Sequence, residues 1–226
     1  MKIYFLSGLG ADKTVFQFLD LKEYDPVFIE WIAPEKNESL PHYALRLKEK
    51  FIPDGSIVVG LSFGGMLGME MAKKFSDLHL ILLSSAKIDA ELPYYYKIGN
   101  WLPLHKISPP ALQKNTMLHM KWLFGLKTKP ARKIYEDLIR NSDTAFNAWA
   151  IESILGWKNE VIPPNIYHIH GTADKVLPIS RVKPDLIVEN GGHLMVLEQP
   201  ALISDLLLNV IRSRQKEYKI RTTADR

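Results

Sequence analysis

One serine in this sequence stands where the chain can expose a reactive hydroxyl. Positions 60–64 read GLSFG, directly after the strand-like run 56–59 and before a methionine-rich segment that favours a helix. Between a strand and a helix, a serine in this pattern takes a strained backbone conformation with positive φ. Small residues two positions to either side let the helix begin close to the strand. We therefore predict that the hydroxyl of Ser62 is lifted into solvent as a nucleophile.

A serine hydroxyl is a poor nucleophile near neutral pH, so a base must take its proton and an acid must orient that base. His193 is the candidate base, because it follows a strand-like run and the two glycines before it let the loop turn back over the sheet edge. Asp174 is the candidate acid, just after another strand-like run. Since the carboxyl ends of parallel strands meet at one edge, we expect Ser62, Asp174 and His193 to meet there. Alternatives stay open for two of these residues. Ser62 could stand in an ordinary glycine-rich turn, and Asp174 has as rivals Asp89, which follows the fourth predicted strand, and the role of a plain aspartate in a turn that caps the next segment.

The elements that must position these residues alternate between strands and helices. Strand-like runs separated by helical segments are typical of βαβ units in a parallel sheet that is buried on both faces. Ser39 offers an N-cap for the second predicted helix, and Pro200 begins the last one. The strands are predicted at 2–6, 26–31, 56–61, 78–84, 165–170 and 185–189, and the helices at 12–20, 39–51, 64–76 and 199–213.

The interval 87–160 interrupts this alternation. It contains no clear strand, prolines divide it into short helices, and aromatic residues cluster in it. We predict a helical insertion that forms a cap, or lid, over the site, while residues 1–86 and 161–226 form the core. A small satellite core made of these aromatic residues is the open alternative. The aromatic residues are Tyr94, Tyr95, Tyr96, Trp101, Trp122, Phe124, Phe146, Trp149 and Trp157, and the prolines stand at 93, 103, 109, 110 and 130.

Four segments together resemble the motifs of the α/β-hydrolase superfamily. GLSFGG, GTADKVLP and GGHLMVLEQP are similar to its nucleophile, acid and histidine motifs, and LSGLGADKTVF is similar to its oxyanion loop. The order Ser, Asp, His along the chain is also that of the superfamily. The resemblance runs from residue 3 to about 210. It implies an α/β-hydrolase fold with a minimal parallel sheet of about six strands, helices on both faces and an inserted helical cap, as in a carboxylesterase-like or lipase-like serine hydrolase.

The resemblance implies a role for each residue that matches a motif. Ser62 is the nucleophile, His193 is the general base and then the general acid, and Asp174 is the carboxylate that orients the histidine. The backbone N–H groups of Leu9 and Phe63 would stabilise the oxyanion. The chain departs from the common pattern in its oxyanion loop, which begins Ser-Gly where His-Gly is frequent. Donation by the backbone does not depend on that side chain.

The activity implied by the resemblance is hydrolysis of an ester-type acyl bond through an acyl-enzyme, on a small to medium, largely apolar substrate under the aromatic cap. The same three residues serve thioester, lactone and carbon–carbon bond hydrolysis, and a ligand-binding protein without turnover would keep the fold. No cofactor is implied, because such a hydrolase needs only water and its own groups. His168 and His170 alternate on one face of a predicted strand, but no third ligand stands at a suitable spacing, so we predict no metal site.

The composition limits the other classes of function. The 226 residues, 46% of them hydrophobic, suffice for one domain with a buried core. The chain has no cysteine, which excludes disulfides, thiolate metal sites and a cysteine nucleophile. The net charge of +4 is not arranged as a basic stripe, and no apolar run is long enough for a membrane span or a signal peptide. We expect a cytoplasmic protein with a small-molecule substrate and without nucleic-acid or membrane partners, and its oligomeric state stays open.

Overall fold

Six parallel strands form the centre of the fold. The computed structural model describes residues 2–94, 96 and 110–224. The strands are β1 (Ile3–Leu6), β2 (Pro26–Phe28), β3 (Ile57–Leu61), β4 (His79–Leu83), β5 (Ile166–Gly171) and β6 (Leu186–Val188). They pair in the order β2-β1-β3-β4-β5-β6, and every neighbouring pair is parallel. All six predicted strands are confirmed, and the two at the edges are shorter than expected.

Helices cover both faces of this sheet. They are α1 (Leu40–Phe51), α2 (Phe63–Ala72), α3 (Pro110–His119), α4 (Lys129–Asn141), α5 (Thr144–Leu155), α6 (Met195–Glu198) and α7 (Pro200–Ala224). Short 3₁₀ helices lie at Lys13–Phe16, Asp89–Glu91, Met120–Phe124 and Ile179–Arg181. The predicted N-cap of α1 is confirmed, because the Ser39 side chain accepts a hydrogen bond from the His42 N–H at 3.4 Å. Helix α7 begins at Pro200 as predicted and continues well beyond the expected residue 213.

The helix predicted at 12–20 is wrong, since the 3₁₀ helix Lys13–Phe16 alone forms in that segment. Its apolar side chains join the core, as an amphipathic helix would require. The backbone then leaves the helical path, because the N–H of Asp20 donates a hydrogen bond to Oγ of Ser204 in α7 at 2.9 Å. A contact with a distant part of the chain thus overrides the local helical pattern.

Each strand buries side chains on both faces of the sheet, which explains its nearly continuous apolar sequence. In β1, Ile3 and Phe5 belong to one hydrophobic cluster, whereas Tyr4 and Leu6 belong to the other. Side chains of α4 and α7 complete the first cluster, and side chains of α1, α2 and α5 complete the second. Because helices cover both faces, the loops at the carboxyl ends of the strands are left to form a site.

Between β4 and β5 the described residues form helices and no strand, as the sequence indicates. Helices α3, α4 and α5 lie there, and the last two reach the core clusters described above. Tyr95, Trp101 and the prolines at 103 and 109, which belong to the predicted insertion, lie outside the described residues. In the part of the chain that the structure describes, none of the helices combines the length and the apolar character that crossing a membrane requires.

Candidate active site

Ser62 occupies a strained turn between β3 and α2. Its backbone angles are φ 51° and ψ −116°, a conformation that non-glycine residues rarely adopt. Hydrogen bonds hold it there: the Ser62 N–H donates to the Leu83 carbonyl at 2.9 Å, and the Ser62 carbonyl accepts from Ser85 Oγ at 2.7 Å. The positive φ predicted from the sequence is therefore present, and hydrogen bonds to the end of β4 and the residues after it fix this conformation.

The glycines of the turn leave no room for a side chain. A Cβ atom on Gly60 would lie 2.5 Å from the Cα atom of Gly65, and one on Gly64 would collide with the carbonyl oxygens of Leu6 and Ser7. Because these neighbours are backbone atoms, they cannot turn aside as a flexible side chain can. The sequence requirement for small residues around Ser62 thus has a direct steric cause.

Replacing Gly64 with alanine is expected to destabilise the protein by about 3 kcal/mol, because the methyl group would force β1 and α2 apart. Urea unfolding followed by circular dichroism measures this loss. Gly8→Ala is the matched control, since its Cβ would meet the Ser62 side chain at 3.5 Å, an ordinary contact. An equal loss of stability in both variants would contradict the steric account.

The structure brings the three predicted side chains together. His193 Nε2 lies 2.9 Å from Ser62 Oγ, and His193 Nδ1 lies 2.8 Å from Asp174 Oδ2. His193 and Asp174 are buried, whereas Ser62 is half-buried and faces a cavity. Asp89 lies instead in the 3₁₀ helix Asp89–Glu91, so the carboxylate beside His193 is that of Asp174.

The hydrogen bonds of Asp174 define the proton positions. Its Oδ1 atom accepts from the N–H groups of Val176 and Leu177, both at 2.9 Å, so the carboxylate is held as an acceptor. Oδ2 then accepts from Nδ1–H of His193, which leaves Nε2 of that ring as an acceptor for the Ser62 hydroxyl. The distance from His193 Nε2 to Ser62 Oγ, 2.9 Å, lies in the range in which a base can take a proton from a nucleophile. The distance from His193 Nδ1 to Asp174 Oδ2, 2.8 Å, lets the carboxylate orient that base.

The loop that carries His193 packs closely against the segment Phe124–Gly125. The Leu194 N–H donates to the Phe124 carbonyl at 3.1 Å, and the Phe124 ring meets the His193 ring edge to face at 5.6 Å. A Cβ on Gly192 would lie 2.7 Å from the Cα of Gly125, so only glycines permit this approach. Sequence reasoning missed this contact. The sequence offered no signal for it beyond the presence of Gly125 and Gly192 themselves.

Two backbone N–H groups are available beside Ser62. Phe63 is the first residue of α2, so its N–H has no partner within the helix. Leu9 lies in the loop after β1, and among the described residues neither its N–H nor that of Phe63 donates a hydrogen bond. The positive end of the α2 dipole points to the same place. These donors match the oxyanion groups expected from the sequence, and their role stays a prediction.

The loop after β1 begins Ser-Gly in place of the common His-Gly, and other side chains hold it in position. The Ala11 carbonyl accepts hydrogen bonds from Ser7 Oγ at 2.7 Å and from Trp31 Nε1 at 2.9 Å. The smaller hydroxyl therefore holds the loop together with an indole from the segment after β2. Sequence reasoning missed Trp31, because nothing in its local sequence indicates a partner twenty residues earlier.

A cavity of about 560 Å³ opens beside Ser62. Its described lining is mostly aliphatic, aromatic or thioether, and much of it comes from α4, α5 and the 3₁₀ helix Met120–Phe124. Such a lining suits an apolar ligand. Its members include Leu9, Met117, Leu123, Leu138, Ile139 and Ile151.

The aromatic residues of the predicted insertion divide between two places. Phe124 and Tyr96 line the cavity, as the cap hypothesis requires. Phe146 and Trp149 instead pack against the core, where Phe146 stacks on Trp31 with ring centres 5.2 Å apart. These two residues therefore join one of the two main core clusters and do not form a separate satellite core.

His168 and His170 are fully buried and hydrogen-bonded to each other at 3.0 Å. Among the described residues, one other group has the spacing of metal ligands: Glu35, Glu38 and His42. There Arg46 donates to both carboxylate oxygens of Glu38. Although burial opposes it, the hydrogen bonds from Arg46 and the Glu35 N–H lower the pKa of Glu38 to about 2. The Glu38 carboxylate is therefore occupied by its ion pair with Arg46.

Comparison with known proteins gives a consistent result. The profile described as the Alpha/beta hydrolase family matches residues 3–206. A thermophilic esterase from Thermogutta terrifontis is similar in structure, with 16% identity, a TM-score of 0.71, and coverage of 95% of this chain and 90% of that chain. For an esterase from Exiguobacterium antarcticum the identity is 15% and the TM-score 0.72, with coverage of 94% and 92%.

A third similar structure is Est816, described as an N-acyl homoserine lactone degrading enzyme. Its identity is 14% and its TM-score 0.67, with coverage of 92% of each chain. No curated protein matches the sequence significantly. At these identities the similar structures show the fold, and the chemistry has to be argued from the site itself.

Proposed function

The chain belongs to the alpha/beta hydrolase family, and on that premise we propose that it is a carboxylesterase-like serine hydrolase in which Ser62, His193 and Asp174 act together. The observation that carries the proposal is the hydrogen-bond chain from Ser62 Oγ through His193 to Asp174, with distances of 2.9 and 2.8 Å, beside an apolar cavity. A serine kept in a strained turn and paired with a base is the arrangement that nucleophilic catalysis needs.

In the first half of the proposed reaction, Ser62 Oγ attacks the carbonyl carbon of the ester while His193 Nε2 takes the hydroxyl proton. The carbonyl oxygen becomes an oxyanion that accepts hydrogen bonds from the N–H groups of Leu9 and Phe63. As the intermediate collapses, the bond to the leaving oxygen breaks and His193 gives its proton to the departing alcohol. Asp174 remains ionised throughout and stabilises the imidazolium that forms at His193.

The second half releases the acyl group. Water attacks the carbonyl carbon of the acyl-enzyme while His193 takes one of its protons, and the oxyanion again forms at the same two N–H groups. The bond to Ser62 Oγ then breaks, and the proton on His193 returns to that oxygen. A carboxylic acid leaves and the starting state is restored, so the groups already present and one water account for the turnover.

We also propose that residues 87–160 form a cap whose described helices close the apolar cavity over Ser62. The support is that α4, α5 and the segment Met120–Phe124 supply much of the lining. The volume of about 560 Å³ lies within the range of small-molecule sites. We therefore expect esters with small to medium, largely apolar acyl or alcohol groups as substrates.

A panel of matched substrates tests the reaction class. It contains p-nitrophenyl esters from acetate to laurate, a thioester and a lactone of comparable size, and a carbon–carbon bond substrate. We expect the highest kcat/KM among the oxygen esters, at an intermediate chain length set by the cavity. A clear preference for the thioester, lactone or carbon–carbon substrate would replace the ester assignment while keeping the same three residues. Absence of turnover on the whole panel would favour a ligand-binding protein.

Filling the cavity should change the chain-length preference. In Leu123→Trp the larger ring occupies space beside Ser62, so kcat/KM for the octanoate ester should fall about tenfold, with the acetate ester changed by less than about twofold. Steady-state kinetics across the ester series measures this shift.

Leu202→Trp is the control for this change. Leu202 is exposed on α7 and does not line the cavity, so the same substitution there should leave the chain-length profile as it was. A parallel loss for short and long esters in Leu123→Trp would contradict the assignment of this cavity to the acyl or alcohol chain.

A further inference from the structure

Two buried histidines on β5 have no part in the proposed reaction. His168 and His170 point to the same face of the strand, and neither has measurable exposure to solvent. His168 Nε2 lies 3.0 Å from His170 Nδ1, with the two rings nearly perpendicular at 87°. Two titratable side chains inside a hydrophobic core are costly unless their polar atoms are satisfied, so their placement calls for a reason.

The second ring nitrogen of His170 faces the acid of the triad. His170 Nε2 lies 2.8 Å from the Leu177 carbonyl oxygen and 3.4 Å from Asp174 Oδ2. Both neighbours are acceptors, so Nε2 must carry the hydrogen. Nδ1 of the same ring is then an acceptor, and His168 Nε2–H must donate to it. The pair therefore forms a chain of donors that runs from His168 to His170 and from His170 to the turn of Asp174, and His168 Nδ1 has no hydrogen-bond partner among the described residues.

Burial keeps both rings uncharged near neutral pH. Loss of solvent lowers the pKa of His168 well below its usual value, with smaller contributions from His170 and Lys87. Loss of solvent also lowers the pKa of His170, although Asp174 and the Leu177 carbonyl oppose the effect. The lack of charge matters, because an imidazolium at His170 would compete with His193 for the same carboxylate oxygen.

The surroundings of Asp174 show what His170 adds. Oδ1 is held by the N–H groups of Val176 and Leu177, and Oδ2 receives the hydrogen bond from His193. His170 Nε2 is hydrogen-bonded to the Leu177 carbonyl of the same turn, and the same nitrogen lies 3.4 Å from Oδ2. It therefore contacts the carboxylate at the oxygen that orients the base.

We propose that His170 is a positioning residue for the triad, aimed by His168, which fixes the turn 174–177 and offers Asp174 an uncharged donor so that Oδ2 stays directed at His193. The inference rests on the proposed function, since it assigns His170 a task in that site. A pair of histidines that only fills the core would stabilise the fold without affecting the chemistry.

His170→Phe tests the proposal because it keeps a ring of similar size and removes both nitrogens. We expect kcat for the preferred ester to fall about tenfold, the effect of one hydrogen bond that orients the base, with KM changed by less than about twofold. His170→Gln, whose amide can restore the donor at Nε2, should recover most of this loss. A residue that only fills the core would show the opposite rescue, because Phe fits an apolar core better than Gln does.

The pH profile of kcat/KM provides the readout that packing alone would not move. Without the His170 N–H, more of the negative charge on Asp174 Oδ2 acts on His193 and favours its protonated, inactive form. The acid limb of the profile should therefore move to higher pH, by about half a unit in His170→Phe. The other titratable groups near His170 and Asp174 are His168, Lys87 and, in the cavity wall, Lys175. All three remain in the variant, so they do not contribute to the expected shift.

If His170→Phe does not fold, His168→Leu tests the positioning role of His170 instead. It leaves every contact of Asp174 in place and removes the donor that aims His170, so it should shift the acid limb in the same direction by a smaller amount. An unchanged acid limb and kcat in the folded variants would overturn the positioning role, while the wild-type protein would still hydrolyse esters. If the wild-type protein itself lacks esterase activity, the proposed function fails instead.

Discussion

Ser62→Ala is expected to lower kcat on the preferred p-nitrophenyl ester by about 10⁴- to 10⁶-fold. The variant lacks the oxygen atom that we propose as the nucleophile, and the neighbouring His193 and N–H donors cannot replace it. Because the alanine leaves the substrate cavity intact, KM for any residual hydrolysis should change little. Stability should not fall, since Ser62 Oγ bonds to His193 and to no core group among the described residues.

Steady-state hydrolysis by purified wild-type and variant proteins measures the effect. Ser213→Ala is the matched control, because Ser213 is exposed on α7 and does not line the cavity. It should retain the full rate. Equal rates for Ser62→Ala and the wild-type protein would show that another residue carries the reaction.

Asp174→Asn is expected to lower kcat by about 10⁴-fold with little change in KM. The N–H groups of Val176 and Leu177 require an acceptor, so the amide oxygen should take the Oδ1 position. The amide nitrogen then faces His193 Nδ1 and donates to it. The ring is forced into the tautomer that carries hydrogen on Nε2, and that nitrogen can no longer take the proton of Ser62.

Asp89→Asn is the control that separates the two candidate acids. Asp89 follows β4 and makes no hydrogen bond to His193, so its variant should keep the wild-type kcat. Comparison of the two variants on one ester, with circular dichroism to verify folding, gives the answer. A large loss in Asp89→Asn and a small one in Asp174→Asn would contradict the geometry on which the proposed mechanism depends.

The sheet and the turn at Ser62 could be predicted because local sequence determines them. Strands of a parallel sheet are buried on both faces, so each leaves a nearly continuous apolar run that is easy to recognise. The turn is equally local: backbone atoms of β1 and α2 exclude any side chain at Gly60 and Gly64. His193 and Asp174 followed from the rule that loops at the carboxyl ends of parallel strands meet.

The features that were missed depend on contacts between distant parts of the chain. Trp31 braces the Ala11 carbonyl, and Phe124 contacts the loop of His193, yet neither residue has a local pattern that indicates its partner. The helix expected at 12–20 failed for the same reason, since Ser204 captures a backbone donor there. Propensity and periodicity describe a segment by itself, and tertiary hydrogen bonds override both.

Covalent labelling with a fluorophosphonate probe tests the central claim most directly. Such a probe reacts with a serine that is activated by a neighbouring base, and mass spectrometry of the digested protein identifies the modified residue. The account predicts one adduct per chain, on Ser62, loss of esterase activity in step with labelling, and strongly slowed labelling in His193→Ala. An adduct on a different residue, or full esterase activity in completely labelled protein, would contradict it.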